Sequence, residues 1–537
     1  MSDHTCASFD IKKVPFVSGG QRSFPASPST VAHIHTVKEK LNELLTAQDG
    51  SFITNDTDCM KEIMMMASMS YLAIHLPLIY GSQFPANGWV DQGTGKTRNL
   101  CQCYNMMIPD DKAVFLKMLA SDYNIQQDVV LQLANQLATA QTRGQPVLLR
   151  AEDRLRQALV PKYQQLFTQI SRLENGVKFL VDLRTDLLNI LANGSSEISN
   201  SHLQSMNMCL HDLLHLWFSV GFLHLERITW QSPGDMLQKI SEYEAVHPIR
   251  NYTDLMRRVG SYRRCFIFMH NSMPREPVVV LHTALTTEIS NSIQDIVTRN
   301  RLGEENNGGV TTDLKEDPER IKCAIFYSIT STQRGLQGVE LGNYLIRSVV
   351  RELLAEFPKM NQFSSLSPIP GFKDWLMKEI VVYMRLKGSG EHPEQTLFLP
   401  DELRTLEKVF VCQSHNLFDS LLKALKNNGW FGEPPIVEAL RAPLMRICAR
   451  YLYVEKRRGY ALNLVANFHL RNGAVMWRLN WLADTSPRGL GASCGLMVNY
   501  RYYLDKTEEY SKNYIEKHEI VASEEIHKLV TESPNNS

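Results

Sequence analysis

A helical domain followed by an α/β domain is the architecture expected of this 537-residue sequence, for three reasons. From about Thr36 to Lys239 apolar residues recur three and four apart, with few β-rich runs. From about Tyr252 the pattern changes to short apolar runs, Cys265–Met269, Val278–His282, Cys323–Ile329 and Phe363–Leu366, separated by helical or polar stretches. The chain is also too long for one ordinary core, so two domains are expected. The pattern divides it into a variable segment at 1–35, a helical domain at 36–248 and an α/β domain at 249–537.

In the first half, Ile125–Ala138 and Val177–Leu191 carry helical spacing, and Asn193-Gly194 is a stop signal for the second. Pro161 splits Arg150–Leu173 into two helices, because proline lacks the amide donor and clashes with the preceding turn. In the second half, Arg301–Arg320 reads as a solvated loop rich in Gly, Glu, Asp and Asn. Gly388-Ser389-Gly390 opens a charged insertion followed by helices to about Tyr453, and a polar helix begins beyond Asp505.

Lysine plus arginine balances aspartate plus glutamate at 57 each, so no overall charge favours nucleic acid or an anionic membrane. Ten cysteines show no framework spacing, which predicts reduced thiols, and Cys101 and Cys103 lack the second ligand pair that a zinc site needs. Asp3 and Asp10 weigh against a transit peptide, while Lys12, Lys13 and Arg22 with several serines keep that alternative open. Ile63–Tyr80 is the one candidate membrane span, but Ser68, Ser70, His75 and Pro77 interrupt it and a buried helix is expected. Gly93–Thr97 imitates a phosphate loop, yet Val90 stands where its first glycine belongs. His211-Asp212-Leu213-Leu214-His215 imitates a zinc-protease helix, with aspartate where the catalytic glutamate would be, and is expected to be a polar helix face.

Chemistry is expected at three places. Cys323–Ile329 leads through a loop with Arg334, Gly335 and Gly338 into a helix whose apolar face is Leu341, Leu345, Ile346, Val349, Val350, Leu353 and Leu354. Free amides and the positive dipole end at such a helix start suit an anion, although an ordinary structural turn fits the residues equally. Ser367, held between a short strand and Pro368, Pro370 and Gly371, either aims its hydroxyl at a ligand or bonds its own backbone. Val465–Leu470 and Ala474–Asn480 read as strands around the hairpin signal Asn472-Gly473, which puts His469 just before a turn, as a catalytic or a core histidine. Asp484 and Arg488 lie nearby in sequence and either hold substrate or form a surface ion pair.

Several long blocks then occur in one order: AEDRLRQALVPKYQQLF at Ala151–Phe167, GVKFLVDLRTDLL at Gly176–Leu188, LERITW at Leu225–Trp230, AVHPI at Ala245–Ile249, RRVGSYRRC at Arg257–Cys265, FSSLSPIPGF at Phe363–Phe372 and the run Tyr460–Leu504. Over roughly Leu148–Leu529 the chain resembles the malonyl-CoA decarboxylase family. The resemblance implies a GNAT acetyltransferase-like mixed α/β catalytic domain behind the helical bundle. It implies conversion of malonyl-CoA to acetyl-CoA and carbon dioxide in fatty acid metabolism, without metal or organic cofactor. Ser367 and His469 would be catalytic; Gln337, Gly338, Val339, Glu340, Leu341, Gly342 and Asn343 would join them in lining the substrate; Glu340 and Tyr502 would orient the site. It also implies a homo-oligomer assembled through the helical domain. The location expected is cytoplasmic, with mitochondrial matrix or peroxisome as alternatives; the final Asn535, Asn536 and Ser537 are not a peroxisomal Ser-Lys-Leu. Residues 1 to about 110 match little, Leu464 replaces a usual proline and Arg275 a usual glycine. Two rival functions remain, a coenzyme A-dependent acyltransferase and a non-catalytic acyl-CoA sensor or scaffold, because a fold does not specify its chemistry.

Overall fold

The computed structural model describes residues 92–193, 197–218, 222–297, 316–339, 344–389, 397–410 and 417–531. The segment Ile63–Tyr80 and most of the Arg301–Arg320 loop lie outside them, as do Glu340, Leu341, Gly342 and Asn343. Among the described residues no helix is long and apolar enough to cross a membrane.

The chain forms two compact units, the first reaching Ile170 apart from residues 116–122. Its elements are α1 (Gln92–Met106), the start of α2 (Pro109–Asp122), α3 (Gln127–Ala140), α4 (Gln145–Ala158) and α5 (Lys162–Ser171). Pro109 opens α2 and Asp110 and Asp111 follow in its first turn, where the missing amide costs nothing and negative charge suits the dipole. The break between α4 and α5 falls at Pro161 as expected. Gly93–Thr97 lies inside α1, so it cradles no phosphate, and Cys101 and Cys103 are buried on the same helix.

The second unit contains α6 (Gly176–Asn193), α7 (Glu197–Trp217) and a sheet of eight strands. In chain order these are β1 (Leu223–Ile228), β2 (Arg263–His270), β3 (Pro277–Thr286), β4 (Cys323–Ser331), β5 (Gln362–Ser365) and β6 (Ser367–Pro368). After a separate hairpin of β7 (Lys456–Arg457) and β8 (Tyr460–Ala461) come β9 (Val475–Asn480) and β10 (Met497–Tyr502). The spatial order is β1-β2-β3-β4-β5-β10, with β6 following β5 along the same edge of β10 and β9 on the other edge. β1 corrects the helical reading of Thr36–Lys239: Leu223–Ile228 pairs antiparallel with β2, from Leu223 opposite His270 to Ile228 opposite Cys265. Its alternation of Leu223 and Leu225 with His224 and Glu226 is only four residues long and was hidden behind the helical run before it.

β4 and β5 form the parallel pair, from Cys323 opposite Gln362 to Phe326 opposite Ser365. The ladder closes with the Leu366 amide on the Phe326 carbonyl at 3.2 Å; β4 then runs on to Ser331 while the other chain turns away to pair Ser367 with Val498 of β10. The two strands therefore part beside Ser367. Helix α8 (Tyr344–Glu356) buries Leu345, Ile346, Val349, Val350 and Leu353, the face expected of it. α9 (Phe372–Ser389) and α10 (Pro434–Tyr453) follow, both contributing to the same core.

The predicted hairpin around Asn472-Gly473 is wrong in its first arm. β9 is a strand, but Val465–Leu470 belongs to a helix, α11 (Leu464–Arg471), and His469 rides in its last turn. The Asn463 side chain accepts the Ala466 amide at 2.9 Å and caps the start. At the other end Gly473, at φ +75°, lets its own amide reach the Leu470 carbonyl at 2.9 Å and the Ala474 amide reach the His469 carbonyl at 3.1 Å. The left-handed conformation that makes Asn-Gly a hairpin turn serves equally to end a helix. Gly473 also lies against the start of α12 (Thr507–Lys517), where a Cβ would stand 1.9 Å from the Thr507 carbonyl oxygen. Two family departures acquire physical meaning here. Leu464 is the first residue of α11, a place that favours proline, and Arg275 sits at φ +61°, a conformation natural to glycine.

Two stability outcomes follow from this helix. Gly473→Ala meets both the strained backbone and the Thr507 carbonyl and should cost about 2–4 kcal/mol. Leu464→Pro, with Asn463 already extended at ψ 122°, should gain about 0.4–1 kcal/mol by restricting the unfolded chain. Chemical denaturation checks both, and a midpoint unmoved by Gly473→Ala would contradict the packing described.

Candidate functional site

Ser367 and His469 come from opposite sides of one tether. Ser367 lies in β6, and the chain then turns through Pro368, Pro370 and Gly371 at φ +80°. The Pro370 carbonyl accepts the Asn463 side-chain amide at 3.0 Å and the Tyr451 hydroxyl at 3.3 Å. Asn463 thus caps the histidine helix with its oxygen and ties it to the serine turn with its nitrogen.

The Ser367 Oγ lies 2.8 Å from His469 Nε2, although 102 residues separate them. His469 Nδ1 lies 2.7 Å from the Tyr502 hydroxyl of β10. Both residues are buried, and the imidazole stacks on the Tyr500 ring at 4.5 Å between centroids. Burial pushes the imidazole down to about 3 and the Tyr502 phenol well above its ordinary value, so at neutral pH both are uncharged.

Their hydrogen-bond direction follows from donor accounting. The buried Tyr502 hydroxyl has His469 Nδ1 as its hydrogen-bond partner, so it donates there and the ring carries its proton on Nε2. Nε2–H then faces Ser367 Oγ, and Ser367 donates onward to Ser365 Oγ at 2.8 Å. Ser365 Oγ is held in turn by the Tyr500 amide at 3.2 Å. The chain Tyr502, His469, Ser367, Ser365 passes donors in one sense, past the cleft wall at His469 and Ser367 to the buried Ser365.

The cleft has a volume of about 970 Å³ and is lined mostly by apolar groups, with Gln337, Gly338, Val339, Ser367 and His469 on its wall. Five of the predicted substrate residues therefore share one space; Glu340, Leu341, Gly342 and Asn343 lie outside the described residues. Tyr502 stands behind the imidazole and does not line the cleft. Gly335 differs from expectation. It is buried against α6, where a Cβ would come within 1.8 Å of the Val181 carbonyl oxygen, while Gly338, at φ +83°, is the one that faces the cleft. Arg334 is exposed and off the wall.

Asp484 and Arg488 make no ion pair with each other. Asp484 accepts the Gln294 side chain at 3.2 Å and the Ser486 amide at 3.0 Å, Arg488 bonds the Ala245 carbonyl, and neither lines the cleft. His211 and His215 stack at 6.1 Å on α7, and among the described residues no group of three His, Cys, Asp or Glu side chains is placed to hold a metal ion. Sequence reasoning missed Ser365, Tyr500 and Asn463. Asn463, three residues before a buried alanine, was a readable cap signal; the other two depend on strand pairing that no local pattern reveals.

Known proteins match this chain over most of its length. Residues 221–537 match the malonyl-CoA decarboxylase C-terminal domain and residues 126–218 its N-terminal domain. The mitochondrial malonyl-CoA decarboxylase of Mus musculus is 52% identical over 397 residues, which is 74% of this chain and 77% of that one. The protein of the same name from Anser anser anser is 47% identical over 428 residues, 79% and 81% of the two chains. Crystal structures of malonyl-CoA decarboxylases from Rhodopseudomonas palustris and Agrobacterium vitis superpose with TM-scores of 0.67 and 0.66, at 30% and 28% identity. The first covers 81% of this chain and 94% of its own, the second 82% and 95%. The chain belongs to the malonyl-CoA decarboxylase family.

Proposed function

We propose that this cleft takes malonyl-CoA and releases acetyl-CoA and carbon dioxide, with Ser367 and His469 as the reacting pair. The observation that carries the reading is the 2.8 Å contact between Ser367 Oγ and His469 Nε2 on the wall of a cleft that the glycine loop also lines. When the carboxylate leaves as carbon dioxide, the electrons of the broken carbon–carbon bond pass to the α-carbon and the thioester oxygen. The Ser367 hydroxyl, turned from Ser365 to the ligand, and the Gly338 amide stabilise that enolate, which is the charge that develops in the transition state. Nε2–H then gives its proton to the α-carbon, and Tyr502 passes its own to Nδ1. The enolate carbon is a stronger base than the imidazolate or phenolate that proton loss would leave, so both transfers run downhill, and solvent returns the proton to Tyr502. Ser367 holds and orients; a serine hydroxyl is a poor base.

Other features fit the same reading. Strands β4 and β5 run parallel and then part beside the loop that follows β4, which supports a GNAT-like catalytic domain. The pairing of β1 with β2 supports a start of this domain near residue 220 in preference to 249. Self-assembly is assigned to the helical domain. The mitochondrial names of the mouse and goose relatives put the mitochondrial matrix ahead of cytoplasm and peroxisome.

Purified protein should release carbon dioxide from malonyl-CoA alone in the presence of a chelator, whereas an acyltransferase would need an acceptor and a sensor would bind without turnover. Removing the donor in His469→Ala or the hydroxyl in Ser367→Ala should lower kcat by about 10²–10³-fold. Full activity in His469→Ala would end the proposal. Tyr502→Phe keeps the ring packing but frees Nδ1, so kcat should fall about tenfold or more with KM little changed.

The pH dependence follows from burial. An imidazole at its ordinary value would become charged as pH falls below about 6.5. Held near 3, His469 stays neutral, and kcat/KM should show no loss from this group between pH 8 and about pH 5. A pH profile with its decline centred near 6.5 would show that the ring titrates in the free enzyme and would refute the neutral donor.

A further inference from the structure

We propose that Arg184 on α6 and His211 on α7 are positioning residues that hold the cleft loop in its ligand-binding shape, giving the N-terminal portion of the family a direct part in thioester binding. The inference rests on the reading of the cleft as an acyl-CoA site. Between Gly335 and Val339 the chain supplies Leu336, Gln337, Gly338 and Val339 to the cleft wall, and it is gripped at both ends.

At the first end, Arg184 is 3% exposed. Its Nη1 donates to the Gly335 carbonyl at 2.5 Å and its Nε to the Asn207 side-chain oxygen at 3.0 Å. Among the described residues no carboxylate pairs with it. A guanidinium taken out of water is costly unless its donors are met, and here a loop carbonyl meets one of them. Gly335 must be glycine for this approach, since α6 leaves no room for a Cβ. At the second end, His211 Nε2 lies 3.1 Å from the Gly338 carbonyl, and Nδ1 lies 3.0 Å from Asp212 Oδ1. A carbonyl only accepts, so Nε2 is the donor. The amides of Leu336, Gln337 and Val339 donate within the loop, to the Gln333, Arg334 and Leu336 carbonyls at 3.0 Å; with the Gly335 and Gly338 carbonyls turned outward to the helices, the orientation of the peptide units between them is determined, and with it the direction of the Gly338 amide and the shape of the wall.

Neither residue lines the cleft, so both act through the loop. The test uses the intact protein and measures kcat and KM for malonyl-CoA, calorimetric binding of acetyl-CoA, and amide hydrogen exchange of the peptide spanning 334–339. Losing one such bond should raise KM and the acetyl-CoA Kd about tenfold in His211→Ala and in Arg184→Met, with kcat within about twofold and faster exchange in the loop. His211→Gln restores an N–H donor and should return KM to within about twofold of the parent. His211 is partly exposed, so its variants carry the test even where Arg184→Met fails to fold. Unchanged binding and exchange in His211→Ala would overturn the proposal, as would a binding loss that His211→Gln does not repair. Failure of the acyl-CoA reading looks different: the parent protein would bind no acetyl-CoA, while the loop would still loosen in the variants.

Discussion

An uncharged imidazole, sealed from water and gripped at both nitrogens, is the constraint around which the rest of the second unit is arranged. His469 can be neutral in this position only because apolar and aromatic neighbours exclude solvent and because hydroxyls, which carry no charge, occupy both of its edges. A carboxylate at Nδ1, as in the serine-protease arrangement, would favour imidazolium and suit the activation of a nucleophile. A phenol leaves the ring neutral with its proton on the outer nitrogen, which suits delivery of a proton to a carbanion.

That arrangement needs three segments to meet, and the sheet brings them together. The parting of β4 from the chain after β5 opens the cleft, β10 supplies Tyr500 and Tyr502, and the Asn463 tether sets α11 against the serine turn. Below it Asn499 joins neighbouring strands, donating to the Ser290 and Ser365 carbonyls and accepting from Arg478 and Asn480. A buried polar network with its partners satisfied is rigid, and rigidity is what a pair held at hydrogen-bond distance requires.

Much of this was legible in the sequence, where pattern and chemistry agreed. The apolar strands β2 to β5, the proline break between α4 and α5 and the buried face of α8 all follow from periodicity. Ser367 and His469 were legible through the family blocks more than through their own surroundings. The misreading at Val465–Leu470 has a clear cause: VANFHL is β-branched and aromatic enough for a strand, and Asn-Gly suits either a hairpin or a helix end. Packing of Ala466 and Leu470 on the core, together with the Asn463 cap, decided for the helix. Tyr500 beneath the imidazole and the grip of α6 and α7 on the cleft loop were not legible, because each depends on segments distant in sequence.

The place of β10 in the sheet has a consequence for biosynthesis. This strand is made well over a hundred residues after β5 and β6, yet it has to pair along the single edge that those two segments form end to end, with β9 on its other side. Until it arrives, β5 and β6 keep open edges, exposed to mispairing while the nascent chain waits. A product cut short before Met497 therefore keeps β5 and β6 as a bare edge, leaves β9 without its partner strand and lacks the two tyrosines that hold the imidazole.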